Sequence, residues 1–225
     1  MLEKKQIGKS TLSIWAGEQE YELYERSTQV PVVHSVSFAY KDIDTWHKVA
    51  LGETDGHIYS RNTNPTVRAF EDKVKELEGA QSATSFASGM AAISNTLATF
   101  LMPGDRIVSI KDSYGGTNVI FNEFLPPLNI DVCLCETGDY EQIESEINKG
   151  CTVLYLETPT NPTIKITDIK RLSSVAKKVG AIVVVDNTFA TPINQNPLEL
   201  GADIVLHSAS KYLGGHADAL GGVIC

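Results

Sequence analysis

A lysine preceded by two serines follows one of the apolar runs of the chain. The run ADIVLHS ends at Ser208, and Ser210, Lys211 and a pair of glycines come shortly after it. An apolar run that gives way to hydroxyls, an amine and residues without side chains indicates a ligand site rather than packing. A lysine amine in such a place can act as a nucleophile toward a carbonyl compound.

Two other apolar runs end in carboxylates. VLYLE ends at Glu157, with Asn161 close behind it, and IVVVD ends at Asp186. A carboxylate that follows a β-branched run is costly to bury unless it meets a positive charge. Asp186 and Lys211 could pair with each other, or each could contact a ligand, and the spacing leaves both readings open.

A third cluster lies at the start of a predicted helix, in FASGMAA. Free backbone N–H groups and the helix dipole at Gly89 and Met90 suit a phosphate, although Ser88 before them is also typical of an ordinary helix cap. Together with Lys211 and Asp186, this cluster favours a ligand with a phosphate, an aldehyde and a protonated ring nitrogen. Pyridoxal phosphate has all of these groups.

Short apolar runs that alternate with helical segments must position these residues. The runs are SATSFAS, RIVSI, DVCLC, TVLYLE, AIVVVDN, DIVLHS and GGVIC, and helices are predicted over 64–79, 89–102, 139–149 and 167–179. Apolar strands separated by helices predict an α/β fold, a doubly wound domain with a mainly parallel sheet. Ligands of such a sheet gather beyond the carboxyl ends of its strands. The direction of the last strand is left open.

The chain divides into an N-terminal arm and a larger domain. Residues 1–60 have weak periodicity and mixed polarity, which indicates an arm with short helical and extended pieces, and residues 61–225 carry the regular pattern. Cys225 ends the chain within a strand-like run. We therefore expect the chain to be the N-terminal part of a longer protein.

Composition narrows the class of protein. Of the 225 residues, 42% are hydrophobic, which is ordinary for a soluble globular chain, and the formal charge of −9 argues against a nucleic-acid partner. No run approaches the roughly 20 apolar residues of a membrane span, and the first residues have no apolar segment of signal-peptide length. We therefore expect neither a membrane nor a nucleic-acid partner.

Cysteine and histidine predict no metal site. None of the four cysteines belongs to a CxxC pair, and none is spaced from a histidine as a zinc ligand would be. Cys133 and Cys135 share one face of a strand and are interpreted as buried thiols, which suits a reducing, cytoplasmic setting. His57, His207 and His216 are expected to be structural.

Several motifs resemble those of one enzyme family. SASKYLGGH, VVVDNTFATP, YLETPTNP, YSRNTNPT and SYGGT are similar to signatures of the Cys/Met-metabolism family of pyridoxal-phosphate enzymes, the transsulfuration enzymes, and the similarity runs from about residue 10 to the last residue. The family includes cystathionine γ-synthase, cystathionine lyases, methionine γ-lyase and homoserine-ester sulfhydrylases.

The resemblance carries expectations about fold, cofactor and partners. It implies an aspartate-aminotransferase-like domain of fold type I, bound pyridoxal 5'-phosphate, amino-acid substrates and a homo-oligomer, usually a dimer of dimers. It also implies a small C-terminal domain that this chain lacks, and with it the arginine that would bind the substrate carboxylate.

The resemblance assigns catalytic roles to three residues. Lys211 would hold the cofactor covalently and then carry protons between substrate carbons, and the glycines after it would leave room beside that bond. Asp186 would keep the ring nitrogen protonated, so that the ring can withdraw electrons from the substrate. Tyr114 would stack on the ring and assist as acid or base; the alternative is an aromatic side chain packed on the sheet.

The resemblance also implies how the phosphate and the ring are bound. The hydroxyls of Ser208 and Ser210 would hold the phosphate together with the N–H groups of Gly89 and Met90. The family often has threonine where Ser210 stands, a change that keeps the hydroxyl. Asn161 would contact the phenolic oxygen of the cofactor.

Two residues of YSRNTNPT are expected to act on a neighbouring subunit. Tyr59 and Arg61 would reach the phosphate bound there, through the N-terminal arm. An intact site would then require at least a dimer. The alternative is a surface arginine beside a helix cap.

One position bears on the reaction. Methionine γ-lyases of the family commonly have a cysteine just after the first glycine that follows the stacking tyrosine, and Gly116 stands there in SYGGT. We therefore expect a cystathionine γ-synthase-like enzyme that joins cysteine to an activated homoserine. The alternatives are a cystathionine or methionine γ-lyase and an O-acylhomoserine sulfhydrylase. Lys211, Asp186 and Tyr114 disfavour a cofactor-binding or assembly protein without catalysis.

Overall fold

The structure, a computed structural model, describes residues 8–16 and 27–225. Its residues fall into two units, one ending at Leu77 and one that runs from Glu78 to Cys225. No helix within the described ranges is long and apolar enough to cross a membrane.

The first unit is made of short helices and extended segments. It holds α1 (Lys9–Trp15), α2 (Ile43–Ala50) and nearly all of α3 (Pro65–Glu78). Asp42 begins α2 because its side chain accepts a hydrogen bond from the Thr45 N–H at 2.7 Å. The predicted arm over residues 1–60 stays a prediction, and the first unit extends beyond it to Leu77.

The second unit contains a seven-stranded sheet. Its strands are β1 (Thr84–Phe86), β2 (Arg106–Ile110), β3 (Asp131–Cys135), β4 (Val153–Glu157), β5 (Ile182–Asp186), β6 (Ile204–Ser208) and β7 (Gly222–Ile224). They lie in the order β1-β7-β6-β5-β4-β2-β3. Neighbours are parallel except at β7, which runs antiparallel to both β6 and β1. The predicted mainly parallel sheet is confirmed, and the last strand is reversed.

Helices connect most of these strands. They are α4 (Gly89–Phe100), α5 (Gly115–Val119), α6 (Tyr140–Asn148), α7 (Ile169–Ala176) and α8 (Thr191–Asn194). Single turns of other helix types cover Ile120–Phe124, Pro126–Leu128, Lys177–Val179 and Pro197–Leu200. The sequence did not predict α5, because its segment GGTNV starts with glycines and has low helix propensity.

Helices cover both faces of the sheet. On one face, α6 and α7 belong to a core with Leu154, Leu156, Val183 and Val185. On the other face, α4 belongs to a core with Val153, Tyr155, Val184 and Leu206. Successive side chains of β4 and β5 therefore point to opposite faces, as in a doubly wound domain.

This alternation also decides where the strand ends point. Glu157, Asp186 and Ser208 each lie two residues after a side chain of the α4 core, so they point to the face that α4 covers. They are the last residues of adjacent parallel strands, and Glu157 is paired in register with Asp186. The carboxyl ends of β4, β5 and β6 thus bring polar side chains to one edge of the sheet.

Candidate active site

A pocket of about 170 Å³ lies at the carboxyl ends of β4, β5 and β6, against the start of α4. It brings together these predicted site residues: Gly89, Met90, Tyr114, Asn161, Asp186, Ser208, Ser210 and Lys211. Glu157, Thr188 and Phe189 also line it, although the sequence assigned them no role.

Lys211 lies in the pocket wall with an exposed side chain. Its backbone N–H donates to the Ser208 carbonyl at 3.1 Å, which closes the turn after β6. Within the described ranges the structure has no ion pair between Lys211 and Asp186, so the pairing that the sequence left open does not form. The Lys211 amine therefore has no carboxylate partner within the described part of the chain.

The glycines after Lys211 permit the tight turn that follows β6. A Cβ on Gly214 would lie 2.9 Å from the Ala209 carbonyl oxygen. Gly215 has φ of +81°, a left-handed conformation that side chains disfavour. The expectation that these glycines also make space for a covalent bond at Lys211 stays a prediction.

Asp186 is a buried carboxylate that is 6% exposed. Its Oδ1 accepts a hydrogen bond from the Thr188 N–H at 3.0 Å, and the Tyr155 hydroxyl lies 3.5 Å from Oδ2. Burial raises the pKa of Asp186, because it removes the charged form from water. A ligand that brings a positively charged N–H group to this carboxylate would offset that desolvation cost.

The start of α4 is built for close approach to β6. The Ser88 hydroxyl accepts a hydrogen bond from the Ala91 N–H at 3.1 Å, so Ser88 is a helix cap as well as a pocket residue. A Cβ on Gly89 would lie 2.6 Å from Cβ of Ser208, so only glycine permits this contact. The first-turn N–H groups of Gly89 and Met90 lie at the pocket, where the helix dipole favours an anion.

Ser210 already uses its hydroxyl within the chain. It donates to the Gly221 carbonyl at 3.3 Å and accepts from the Gly221 N–H at 3.0 Å. A phosphate could receive the Ser210 proton while the Gly221 N–H bond remains, because a hydroxyl has one proton and two lone pairs.

Tyr114 presents an open ring to the pocket. Its side chain is 44% exposed, so it is not packed on the sheet as the alternative interpretation required. A Cβ on Gly116 would lie 2.7 Å from Sδ of Met90 and 2.8 Å from Cε1 of Tyr114. Gly116 thus leaves the space that these two side chains occupy.

Glu157 is the pocket residue that sequence reasoning left without a role. Its carboxylate accepts hydrogen bonds from the backbone N–H groups of Tyr114 at 2.8 Å and Asn161 at 3.0 Å. Burial and then the charge of Asp186 raise the pKa of Glu157 to about 7, and the two N–H donors act in the opposite direction. The position at a strand end was the only signal in the sequence.

Tyr59 and Arg61 belong to the first unit and contact each other. The guanidinium carbon of Arg61 lies 5.5 Å from the centroid of the Tyr59 ring, within cation–π range. Both side chains are exposed, Tyr59 by 40%. Their predicted role at a neighbouring subunit stays a prediction.

The five histidines and four cysteines lie outside the pocket lining. His207 is fully buried, with Nε2 2.6 Å from Glu78 Oε1, and His216 is exposed. Sγ of Cys133 and Sγ of Cys135 are 4.0 Å apart on one face of β3, and burial raises the pKa of Cys135 to about 12. Cys133 is only partly buried. Over residues 8–16 and 27–225, no cluster of His, Cys, Asp and Glu could hold a metal ion.

Comparison with known families decides the assignment. Residues 10–225 match the family described as "Cys/Met metabolism PLP-dependent enzyme". The chain belongs to this family. The predicted family and its cofactor, pyridoxal phosphate, are thereby confirmed. Similar proteins that are named lyases agree with the predicted class of enzyme.

The chain is similar to proteins of this family over most of its length. It is 44% identical over 190 residues to the cystathionine gamma-lyase of Bacillus subtilis (strain 168), a match that covers 84% of this chain and 50% of the relative. It is 39% identical over 224 residues to the L-methionine gamma-lyase of Fusobacterium nucleatum subsp. nucleatum, covering 99% and 56%. The chain therefore spans about half the length of the curated relatives it matches.

The fold agrees with a solved structure. The chain matches the crystal structure of metB from Corynebacterium glutamicum with a TM-score of 0.90 and 38% identity, over 98% of this chain and 55% of that one. This likeness and the mainly parallel sheet confirm the predicted pyridoxal-phosphate domain of fold type I.

The residues of the pocket fit the cofactor of the Cys/Met metabolism family. The buried carboxylate of Asp186 requires a positively charged partner, the start of α4 offers N–H groups to a phosphate, and Lys211 offers an amine to an aldehyde. Gly89 is needed for that geometry, because a side chain there would collide with Ser208.

Proposed function

We propose that this protein is a pyridoxal-phosphate-dependent lyase that cleaves a carbon–sulfur bond in a thioether amino acid such as cystathionine. The pocket carries the proposal, since it places an amine, a buried carboxylate and an open aromatic ring around a helix start suited to a phosphate. The relatives support the reaction class, because similar proteins are named cystathionine gamma-lyase and L-methionine gamma-lyase.

Different residues of the pocket have different roles in the proposed proton transfers. Pyridoxal phosphate, when bound, supplies a ring that withdraws electrons from the α-carbon of the substrate. With the cofactor bound, Asp186 would keep the proton on the ring nitrogen, because a buried carboxylate is stabilised by a positively charged partner. Lys211 would hold the cofactor until the substrate amine takes its place, and the freed Lys211 amine would then remove the proton from the α-carbon. Among the described residues, Lys211 is the only lysine, arginine or histidine that lines this pocket.

Tyr114 supplies a ring face and a hydroxyl at the same place. Its ring would stack on the cofactor, and its hydroxyl would take a proton from the incoming ammonium group and return it to the departing thiolate. After passing on the first proton, the Lys211 amine would remove a proton from the β-carbon, so that the electron pair left there forms a double bond to the γ-carbon as the carbon–sulfur bond breaks. Reprotonation of the carbon chain and hydrolysis by water would release ammonia and a 2-oxoacid, so cystathionine would yield cysteine, 2-oxobutanoate and ammonia.

The lyase reading replaces the synthase reading as our first choice. The sequence alone favoured a cystathionine γ-synthase-like replacement, whereas the similar relatives carry lyase names. Gly116 supports cystathionine over methionine as the substrate, since the resemblance associates a cysteine at this position with methionine γ-lyases.

We also propose that the site is shared between subunits of a homo-oligomer. A phosphate has more charge than a helix start and serine hydroxyls can balance, and Lys211 is engaged with the aldehyde. Arg61 is exposed and makes no ion pair within the described part of the chain. Its guanidinium can bind a phosphate of the neighbouring subunit in a bidentate manner.

Product analysis tests the reaction. The protein loaded with pyridoxal phosphate is incubated with cystathionine, with methionine, or with cysteine plus an O-acylhomoserine. We expect cysteine and 2-oxobutanoate from cystathionine, and no product with Lys211→Ala. Borohydride reduction of the loaded protein should fix the cofactor on Lys211, as read by peptide mass. Turnover of only the third mixture, with cystathionine as product, would replace the lyase with a synthase.

A further inference from the structure

One buried carboxylate of the pocket has no part in the proposed proton transfers. Glu157 ends β4, is 5% exposed and lies beside Asp186 in register. Its Oε2 accepts the Tyr114 N–H at 2.8 Å, and its Oε1 accepts the Asn161 N–H at 3.0 Å. Tyr114 is the residue whose ring the proposed function stacks on the cofactor, and Asn161 is the one that the family resemblance places at the phenolic oxygen.

The two residues that Glu157 joins lie in different connections of the fold. Tyr114 follows β2 and caps α5, whereas Asn161 lies in the loop after β4. Above about pH 7, where Glu157 is ionised, its charged oxygens make stronger hydrogen bonds than neutral acceptors would. Glu157 therefore ties both connections to the end of one central strand.

The location is an unfavourable one for a carboxylate. Burial and the neighbouring carboxylate of Asp186 both favour the neutral form of Glu157. A neutral side chain at the end of β4 would avoid the cost of desolvating a charge. A carboxylate has the advantage that each of its two oxygens accepts one of the two backbone N–H groups.

We propose that Glu157 is a positioning residue for the cofactor, which holds the backbones of Tyr114 and Asn161 in place so that both side chains are ordered before the cofactor enters. The inference rests on the proposed function, because that function stacks Tyr114 on the cofactor ring, and on the resemblance that places Asn161 at the phenolic oxygen of the ring. Ordered contacts bind more tightly, since less conformational freedom is lost on binding.

The variant Glu157→Gln tests the idea with little change of shape. Glutamine offers one acceptor and one donor, so its NH₂ group must face one of the two N–H groups. We expect the dissociation constant of pyridoxal phosphate to rise by about tenfold or more, as for loss of a hydrogen bond to a charged group. We also expect a weaker visible circular dichroism of the bound cofactor, because its ring is held less rigidly.

Glu136→Gln is the matched control. Glu136 is an exposed carboxylate paired with Lys111, outside the pocket lining. Its loss should leave the dissociation constant within about twofold. An unchanged dissociation constant and unchanged dichroism in Glu157→Gln would overturn the proposal.

A double-mutant cycle separates positioning from a direct effect of charge. In a Tyr114→Ala, Asn161→Ala background, Glu157→Gln should change cofactor affinity by less than about twofold, because the residues it positions are gone. A full effect in that background would mean that Glu157 acts through its charge beside Asp186, and the positioning role would be wrong.

If Glu157→Gln does not fold, hydrogen exchange of the wild-type protein tests the positioning role of Glu157. The amides of Tyr114 and Asn161 should exchange far more slowly than in an unstructured peptide. Exchange at peptide-like rates would overturn the proposal. Failure of the wild-type protein to bind pyridoxal phosphate would count against the proposed function, whereas the exchange measurement would still test Glu157.

Discussion

Asp186 shows how the surroundings of one residue prepare it for a charged ligand. Its carboxylate is buried at the end of a β-branched strand and receives hydrogen bonds from Thr188 and Tyr155. These neutral donors only partly offset the loss of water, so its pKa is raised. A positively charged ring nitrogen would supply the missing compensation.

Asp186→Asn should separate this role from a structural one. Asparagine keeps the shape and the acceptor for Thr188, so the melting temperature should stay close to that of the wild-type protein. Without the carboxylate the ring nitrogen loses its proton, and turnover should fall by on the order of a hundredfold or more. The control is Asp131→Asn, an exposed partner of Arg106 that should retain turnover. Near-normal turnover in Asp186→Asn would show that the carboxylate is only structural.

Glu157 should make the stability of the cofactor-free protein depend on pH. Its pKa is raised from 4.5 to about 7, so between these values the folded state keeps a proton that the unfolded state has lost. The free energy of unfolding should therefore fall as pH rises through this window, by up to about 3 kcal/mol. The raised pKa of Asp186 acts with the same sign.

Urea unfolding at a series of pH values measures this dependence. Glu157→Gln should reduce the slope between about pH 5 and pH 7 to the part that Asp186 contributes, because glutamine does not titrate. Glu136→Gln, which removes an exposed carboxylate, should keep it. If the wild-type slope persists in Glu157→Gln, the titrating group lies elsewhere.

At the scale of elements, a buried polar network ties the end of α3 to two strand ends. Glu78 Oε1 lies 2.6 Å from His207 Nε2 and accepts from Asn187 Nδ2 at 2.8 Å. Ser208 follows His207 in the chain, and Asp186 precedes Asn187. Ser208 and Asp186 both line the pocket. Nδ1 of His207 has no hydrogen-bond partner among the described residues, so the ring donates to Glu78 through Nε2.

Removal of Glu78 should therefore be costly. Glu78→Ala leaves buried donors on His207 and Asn187 without an acceptor, and we expect a loss of about 3 kcal/mol in the free energy of unfolding. Chemical denaturation measures it. The control Glu141→Ala, on the exposed first turn of α6, should change stability by no more than about 0.5 kcal/mol. A loss of under about 1 kcal/mol for Glu78→Ala would show that the network contributes little.

At the scale of the whole molecule, complementation between two inactive variants tests the shared site. Arg61→Ala and Lys211→Ala should each be inactive alone. In a mixed dimer, one site has both lesions and the other has neither. A one-to-one mixture with free exchange should therefore regain about a quarter of wild-type activity, since half of the dimers are mixed.

Subunit exchange must be followed independently, for example with differently labelled chains. Arg68→Ala is the control for arginine loss, because Arg68 forms ion pairs with Asp55 and Asp72 and has no proposed role at the phosphate. If labelled chains exchange and no activity returns, Arg61 serves its own subunit and the shared site is refuted.

The sequence by itself predicted the strands, the main helices and the polar residues at the strand ends. RIVSI and DVCLC coincide with β2 and β3, and the strand before Asp186 ends where the pattern placed it. These features are local, because the hydrophobic periodicity, turn residues and helix caps that predict them involve residues only a few positions apart in the sequence. Motif resemblance added the cofactor and the roles proposed for Lys211, Asp186 and Tyr114.

Only the tertiary structure decided the contacts that join distant parts of the chain. Tyr114 and Glu157 are separated by 43 positions, and Glu78 and His207 by 129. The reversed direction of β7 and the backbone role of Gly214 were likewise undecided by pattern. Each depends on which elements pack side by side, and a buried polar group finds its partner through that packing rather than through its sequence neighbours.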